Sequence, residues 1–111
     1  MRSPGDGDVV AFSPGVVYLL ASESMSAKSG DYDMAVFNAI GEMVSLPTPQ
    51  VTSSRRYLNA AIPQWLPPGT YSVRWRNVSA EDGHEHSGSW PFRIDRALLP
   101  DKLTLGGIAR D

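Results

Sequence analysis

The sequence predicts an all-β domain, built as a sandwich or a barrel. Nine prolines and ten glycines divide its 111 residues into short pieces, and few windows have the apolar spacing of an amphipathic helix. The pieces are rich in β-branched and aromatic residues, or alternate between apolar and polar residues as half-buried strands do. Several short strands separated by turn residues are typical of sandwiches and barrels.

Three strands are predicted in the first part of the chain. Residues 16–21 are a wholly apolar run between a Ser-Pro-Gly turn and a serine-rich stretch. Residues 32–37 place a tyrosine, a methionine and a valine on one face, and we expect the methionine, Met34, to fill the core. Residues 57–62 form the third strand, which Pro63 closes.

Two further strands follow in the second part. Residues 71–76 alternate most regularly between apolar and polar, and this alternation predicts that Trp75 points into the core. Residues 90–94 place a tryptophan, a phenylalanine and an isoleucine on one face. Because proline cannot donate to a strand ladder, Pro91 predicts an edge position or a bulge.

The stretch LPPGTY at residues 66–71 narrows the choice of fold. It has the leucine, glycine and tyrosine spacing of a tyrosine corner, in which a tyrosine hydroxyl donates to the backbone a few residues upstream. Pro68 and Gly69 supply the tight turn that enters the strand. The alternative is that Tyr71 is only a core aromatic. We favour the corner, which predicts a Greek-key sandwich.

The composition excludes several classes of protein. Hydrophobic residues at 41% and charged residues at 20% indicate one globular domain. A net charge of −2 and a pI near 5.6, with scattered basic residues, predict that the chain binds no nucleic acid. The sequence has no cysteine, which excludes disulfides, thiolate zinc sites and iron–sulfur clusters.

The hydropathy pattern gives no membrane-spanning segment. The longest wholly apolar run, residues 16–21, is far too short to cross a bilayer. No basic stretch precedes an apolar one in the manner of a signal peptide. We therefore expect a domain that does not itself span a membrane, and no signal peptide in the chain as given.

The stretch SAEDGHEHSG, residues 79–88, contains both histidines of the chain. In an extended segment, residues two apart point to the same face, so Asp82 and His84 can converge on one metal ion. A carboxylate and an imidazole suit Cu(II), with Zn(II) as the competitor. The alternative is a polar turn, because Asp-Gly is a common turn pair and exposed histidines are usually only solvated.

A family resemblance adds to this interpretation. LPPGTYSVRWRNVSAEDGH at residues 66–84, followed by SGS at 87–89 and FRI at 92–94, resembles the CopC copper-resistance family. The signature of that family is a PGTYxVxW strand, an SAxDGH turn and an FxV-type strand. A weaker likeness begins at residues 3–7, so the resemblance extends over most of the chain.

The resemblance implies an Ig-like or cupredoxin-like Greek-key sandwich that is periplasmic, or otherwise extracytoplasmic, in a bacterium. It implies a Cu(II)-binding role in copper homeostasis or resistance, with a membrane copper-transport protein or membrane complex as a partner. In the family the aspartate and histidine of the DGH turn help to bind Cu(II), and they correspond here to Asp82 and His84.

This chain departs from the family in two places. The other ligands of the family come from a histidine at the mature N-terminus, whereas here Met1 and Arg2 precede the first motif, so we expect the first strand to be missing or truncated. Glu85 and His86 stand where the family more often has proline and a small or apolar residue. His86 shares parity with His84 and could supply a substitute nitrogen. The predicted metal ligands are Asp82, His84 and His86.

The resemblance and the strand pattern together predict two segments. Residues 1–95 are the CopC-like sandwich, and residues 96–111 are a C-terminal tail or an edge segment.

We expect this protein not to be an enzyme. A triad of Ser87, His84 and Asp82 can be assembled on paper, but no nucleophile elbow frames the serine. The alternative to copper binding is an Ig-like structural or accessory module without metal, docked on a membrane or extracytoplasmic complex.

Overall fold

The computed structural model describes residues 2–98, which form two four-stranded β-sheets enclosing one core. The strands are β1 (Arg2–Ser3), β2 (Val9–Val10), β3 (Val16–Leu20), β4 (Asp33–Phe37), β5 (Gln50–Val51), β6 (Tyr57–Ala61), β7 (Gly69–Val78) and β8 (Glu85–Ile94). One sheet has the order β1-β3-β6-β5 and the other β2-β8-β7-β4. Neighbours are antiparallel except β2 and β8, which are parallel. The predicted all-β Greek-key sandwich is confirmed.

The five predicted strands correspond to β3, β4, β6, β7 and β8. The last two are longer than predicted, at 10 residues each, and form a long hairpin. The strands β1, β2 and β5 were not predicted, because two residues are too few to show an alternation. The first strand, expected to be missing or truncated, is present as two residues: Arg2 pairs with Leu19 and Ser3 with Tyr18.

Most of the core consists of alternate residues of β3, β4, β6, β7 and β8. Trp90, Phe92 and Ile94 on β8 are each 1% exposed, as their shared parity predicted, and Met34 on β4 is buried to the same extent. Trp75 on β7 packs partly buried against this core, so it points inward as expected. The other core side chains are Val17, Leu19, Met25, Val36, Leu58, Ala60, Ile62, Leu66, Tyr71 and Val73.

Among residues 2–98, no strand pairs with the outer side of β8 at Pro91. β2 pairs only with the last two residues of β8, Arg93 and Ile94. The carbonyl of Pro91 accepts from the N–H of Gly7 at 2.8 Å, which shows that Pro91 faces this outer side. In an antiparallel strand a residue's N–H and C=O point the same way, so the missing proline donor costs no ladder hydrogen bond there.

The tyrosine corner is present. The hydroxyl of Tyr71 donates to the carbonyl oxygen of Pro67 at 2.6 Å, four residues upstream. The ring of Tyr71 is 3% exposed and stacks on Phe92 with 5.6 Å between the ring centroids. Burial raises the pKa of the Tyr71 hydroxyl above its ordinary value, so it remains a donor. The corner therefore fixes the start of β7 to the loop before it.

Replacing Tyr71 by phenylalanine should lower the free energy of unfolding by about 0.5–1.5 kcal/mol, the net contribution of one hydrogen bond. Denaturant unfolding measures this as a shift of the midpoint. Tyr18→Phe is the matched control, because no hydrogen-bond partner of its hydroxyl lies among residues 2–98. Equal midpoints for wild type and Tyr71→Phe would show that the corner contributes nothing to stability.

A 3-10 turn, Arg96–Leu98, follows β8. The guanidinium of its first residue donates to the carbonyl oxygens of Ala11 at 2.5 Å and Leu66 at 3.0 Å. It also lies 5.1 Å from the ring centroid of Phe12. The end of the last strand is thus tied to two loops at one end of the sandwich.

The segment predicted as a tail or edge, residues 96–111, is described only as far as residue 98. The division of the chain at residue 95 stays a prediction. None of the helical segments within residues 2–98 has the length and apolar character needed to cross a membrane.

Candidate metal centre

The loop that joins β7 to β8, residues 79–84, is a hydrogen-bonded turn at the other end of the sandwich. The N–H of Ser79 donates to the carbonyl of His84 at 2.9 Å, and the N–H of Gly83 donates to the carbonyl of Ser79 at 3.0 Å. Gly83 has φ of 74°, a conformation that other residues adopt only with strain. The Asp-Gly-His order therefore fixes Asp82 and His84 relative to each other.

Asp82 and His84 are in direct contact. One carboxylate oxygen of Asp82 accepts from the backbone N–H of His84 at 2.9 Å. The other lies 3.4 Å from the Nδ1 atom of His84. Ligand atoms that each lie about 2 Å from one ion are themselves separated by roughly 2.8–3.4 Å, according to the angle between them. The pair thus has a spacing that one metal ion could bridge, and both side chains are open to solvent.

The carboxyl of Asp82 is predisposed to carry a negative charge. Its pKa lies below the ordinary value, chiefly because the backbone N–H of His84 donates to it. The imidazole of His84, the hydroxyl of Ser79 and the imidazole of His86 lower this pKa further. Asp82 therefore remains a carboxylate, the form that binds a cation, to lower pH than an ordinary aspartate.

His86 is the second residue of β8, next to the turn, and it pairs with Asn77 of β7. Its side chain faces an open cleft of about 370 Å³ between the ends of the two sheets. Asp82 lines the same cleft, together with Arg2 and Trp75. The predicted ligand Asp82 is therefore in contact with His84 and lines the same cleft as His86.

Glu23 is a further candidate ligand that sequence reasoning missed. It lies in the loop after β3 and lines the cleft that Asp82 and His86 share. One of its carboxylate oxygens accepts from the hydroxyl of Ser79 at 2.8 Å, across 56 positions of sequence. Nothing in the surrounding residues marks Glu23 as a ligand, because only the packing of the two sheets brings it to this end of β7.

The side chains as they stand do not form a complete ligand shell. Within residues 2–98, no group of three or more histidine, aspartate or glutamate side chains is close enough together to hold one ion. The structure therefore gives one preformed pair of donors, Asp82 and His84. His86 and Glu23 lie on the adjoining cleft; both are exposed, and Glu23 is hydrogen-bonded to Ser79.

Comparison with protein families gives one match. A family model described as the CopC domain matches residues 1–95. Among curated proteins, the chain is 28% identical over 96 residues to the copper transport protein CutJ of Bacillus subtilis (strain 168). This alignment covers 86% of the chain but 17% of the length of CutJ.

Solved structures give the same likeness. The crystal structure of CopC from Methylosinus trichosporium OB3b aligns with a TM-score of 0.75 and 27% identity, over 86% of this chain and 89% of that one. PcoC, a methionine-rich copper resistance protein from Escherichia coli, aligns with a TM-score of 0.69 and 23% identity, over 85% and 93%. At that identity the likeness to PcoC concerns the fold alone.

Proposed function

This chain belongs to the CopC domain family, and from that membership we propose that it binds Cu(II) outside the cytoplasm in copper homeostasis or resistance. The resemblance found in the motifs of residues 66–94 is thereby confirmed. The observation that carries the proposal is the contact between Asp82 and His84, whose donor atoms lie 3.4 Å apart in a turn that holds them together.

The available donors suit copper carried as cargo. One carboxylate and one imidazole form a mixed oxygen and nitrogen set that favours Cu(II) in a tetragonal arrangement, and Zn(II) can compete for it. We propose that His86 adds a second nitrogen when its exposed side chain turns toward Asp82, and that Glu23 adds a second carboxylate from the cleft that it shares with Asp82. Copper is then bound at the end of the β7–β8 hairpin, where a partner can reach it.

The proposed location and partner of the domain rest on its relatives. CutJ is named a copper transport protein, and this chain corresponds to 17% of its length. We therefore propose that the domain works outside the cytoplasm beside a membrane copper-transport protein, either exchanging copper with it or presenting copper to it. In this role the domain binds and transfers an ion and catalyses no reaction.

A Cu(II) titration followed by paramagnetic resonance tests the proposal. One equivalent of copper should give a bound spectrum with nitrogen hyperfine structure, distinct from that of free copper. Zn(II), which gives no such spectrum, should displace it at sufficient concentration. A spectrum that matches free or nonspecific copper at every ratio would contradict copper binding by this domain.

Copper binding should weaken as the pH falls through the range in which histidine takes up a proton, about 6–7. Only the neutral imidazole is a ligand, so each proton gained removes a donor. Asp82 stays ionised across this range, as an ordinary aspartate does, and its lowered pKa moves its own protonation further from it. The bound spectrum recorded over a pH series measures this. A Cu(II) affinity that stays constant with falling pH until carboxylates protonate would exclude the imidazoles as ligands.

An accessory role without metal is the second candidate. It is favoured by exposed aromatic side chains at the end opposite the turn, where Trp65 is 69% exposed and Phe12 is 56% exposed. Their loops are held together, since the hydroxyl of Ser13 donates to the carbonyl of Pro63 at 2.5 Å. A domain that shows no specific copper in the titration, yet associates with a membrane complex through this end, would have the accessory role.

A further inference from the structure

We infer that Ser79 is a positioning residue of the copper site, whose hydroxyl holds the carboxylate of Glu23 at the cleft that Asp82 lines. The inference rests on the proposed function and adds to it a group that does not touch copper. It makes Glu23 a ligand whose carboxylate is held at the cleft before the ion arrives, next to the preformed pair of Asp82 and His84.

The side chain of Ser79 is buried although its neighbours in the turn are exposed. Ser79 is 4% exposed, whereas residues 80–84 are all open to solvent. Its hydroxyl donates to the Oε1 atom of Glu23 at 2.8 Å and accepts from the backbone N–H of Glu81 at 3.2 Å. The hydroxyl therefore accepts from Glu81 and donates to Glu23, and it also lies close enough to Asp82 to help lower the pKa of that carboxyl.

The backbone of Ser79 joins the two loops that carry the candidate ligands. Ser79 forms an isolated antiparallel bridge with Met25, and the N–H of Ala80 donates to the carbonyl of Ser24 at 2.8 Å. Ser79 also closes the turn through its hydrogen bonds with Gly83 and His84. The Glu23 loop and the Asp82 turn thus share one anchoring residue.

The chemistry of the contact suits a ligand. A hydroxyl that donates to one carboxylate oxygen leaves the other oxygen free for an ion, and it restricts the rotation of an exposed glutamate. Hydrogen bonds to charged groups are stronger than neutral ones. Groups that orient metal ligands in this way typically change metal affinity by about 10–100-fold when removed.

The test measures Cu(II) affinity by competition titration in wild type and in Ser79→Ala. The alanine variant should bind Cu(II) about 10–100-fold more weakly. Ser79→Thr, which keeps the hydroxyl, should recover most of the affinity. Ser45→Ala is the matched control, because Ser45 is also buried, at 6% exposure, and its hydroxyl accepts from the N–H of Val36 at 2.9 Å. It should leave the copper affinity unchanged.

Repeating Ser79→Ala in a Glu23→Gln variant separates a positioning role of Ser79 from a general structural effect. Glu23→Gln should itself weaken copper binding, and in that background Ser79→Ala should cause little further loss. A merely structural serine would cause the same loss in both backgrounds. Glu23→Gln also decides the matter if Ser79→Ala fails to fold, because unchanged affinity in Glu23→Gln would overturn the inference on its own.

The outcomes distinguish the inference from the proposed function. If wild type binds copper and Ser79→Ala binds it equally well, the inference is wrong and the proposed function stands. If the loss in Ser79→Ala is the same with and without Glu23, Ser79 does not act through Glu23 and the inference is again wrong. If wild type binds no copper, the proposed function fails and the inference fails with it.

Discussion

Replacing Asp82 by asparagine should weaken Cu(II) binding by about 100-fold or more, since even groups that only orient metal ligands cost about 10–100-fold when removed. The change removes the charged ligand that contacts His84. It should leave the turn intact, because the side-chain oxygen of asparagine can still accept from the backbone N–H of His84, as Asp82 does at 2.9 Å. The loss would then be a loss of metal bonding and not of structure.

Asp95→Asn is a matched control for this substitution. Asp95 accepts from the N–H of Ala97, two residues on, at 2.9 Å, which is the same local geometry as that of Asp82. It lies at the opposite end of the sandwich, after β8. Competition titration should give wild-type affinity for the control and the large loss for Asp82→Asn. Equal affinities for the two variants would show that Asp82 is not a copper ligand.

The two histidines can be ranked by the same measurement. His84 contacts Asp82, so His84→Ala should remove the bound-copper spectrum. His86 lines the same cleft as Asp82, so His86→Ala should reduce the nitrogen hyperfine structure and the affinity if His86 supplies the second nitrogen. An unchanged spectrum in His86→Ala would leave Asp82 and His84 as the only ligands from this hairpin.

Replacing Trp90 by alanine should lower the free energy of unfolding by about 3–5 kcal/mol, the range typical of large aromatic residues in a core. Trp90 is 1% exposed and is among the largest fully buried side chains of residues 2–98. Its indole N–H donates to the carbonyl of Pro4 at 2.8 Å, and the guanidinium of Arg2 lies 5.0 Å from the ring centroid. The substitution therefore opens a cavity and also releases the N-terminal segment.

Denaturant unfolding of three variants separates these contributions. Trp90→Phe keeps an aromatic ring but leaves the Pro4 carbonyl without its donor, which should cost about 1–3 kcal/mol. Trp65→Ala is the control, because Trp65 is 69% exposed, and surface changes of this kind stay within about 0.5 kcal/mol. A similar loss in Trp65→Ala and Trp90→Ala would contradict the burial of Trp90.

Local patterns were enough to predict the parts of this fold that depend on local geometry. The burial of Trp90, Phe92 and Ile94 follows from the period of two along a strand. The bond from Tyr71 to Pro67 spans four residues, so the spacing of the motif contains it. The contact between Asp82 and His84 is also local, but it arises in a hydrogen-bonded turn and not in the extended segment that we expected.

Sequence patterns could not predict the contacts between distant segments. The hydrogen bond between Ser79 and Glu23 spans 56 positions of sequence. No local pattern around either residue predicts that the two are in contact. The two-residue strands show no period, because two residues are too few to form one, and each takes its place by pairing with a neighbouring strand. The cleft itself is formed where the two sheets end, so its lining residues come from both.

The parallel pairing of β2 with β8 has a consequence for how the chain folds. Val9 lies opposite Arg93 and Val10 opposite Ile94. The strand β2, near the start of the domain, therefore cannot pair until β8, the last strand, is available. In the same way, the carbonyl of Pro4 can accept its hydrogen bond from the indole of Trp90 only after β8 is available. Contacts between such distant segments require large loops to close first, and proteins dominated by them fold slowly, in about milliseconds to seconds. During synthesis the sandwich therefore stays open at one edge until its final strand has been made.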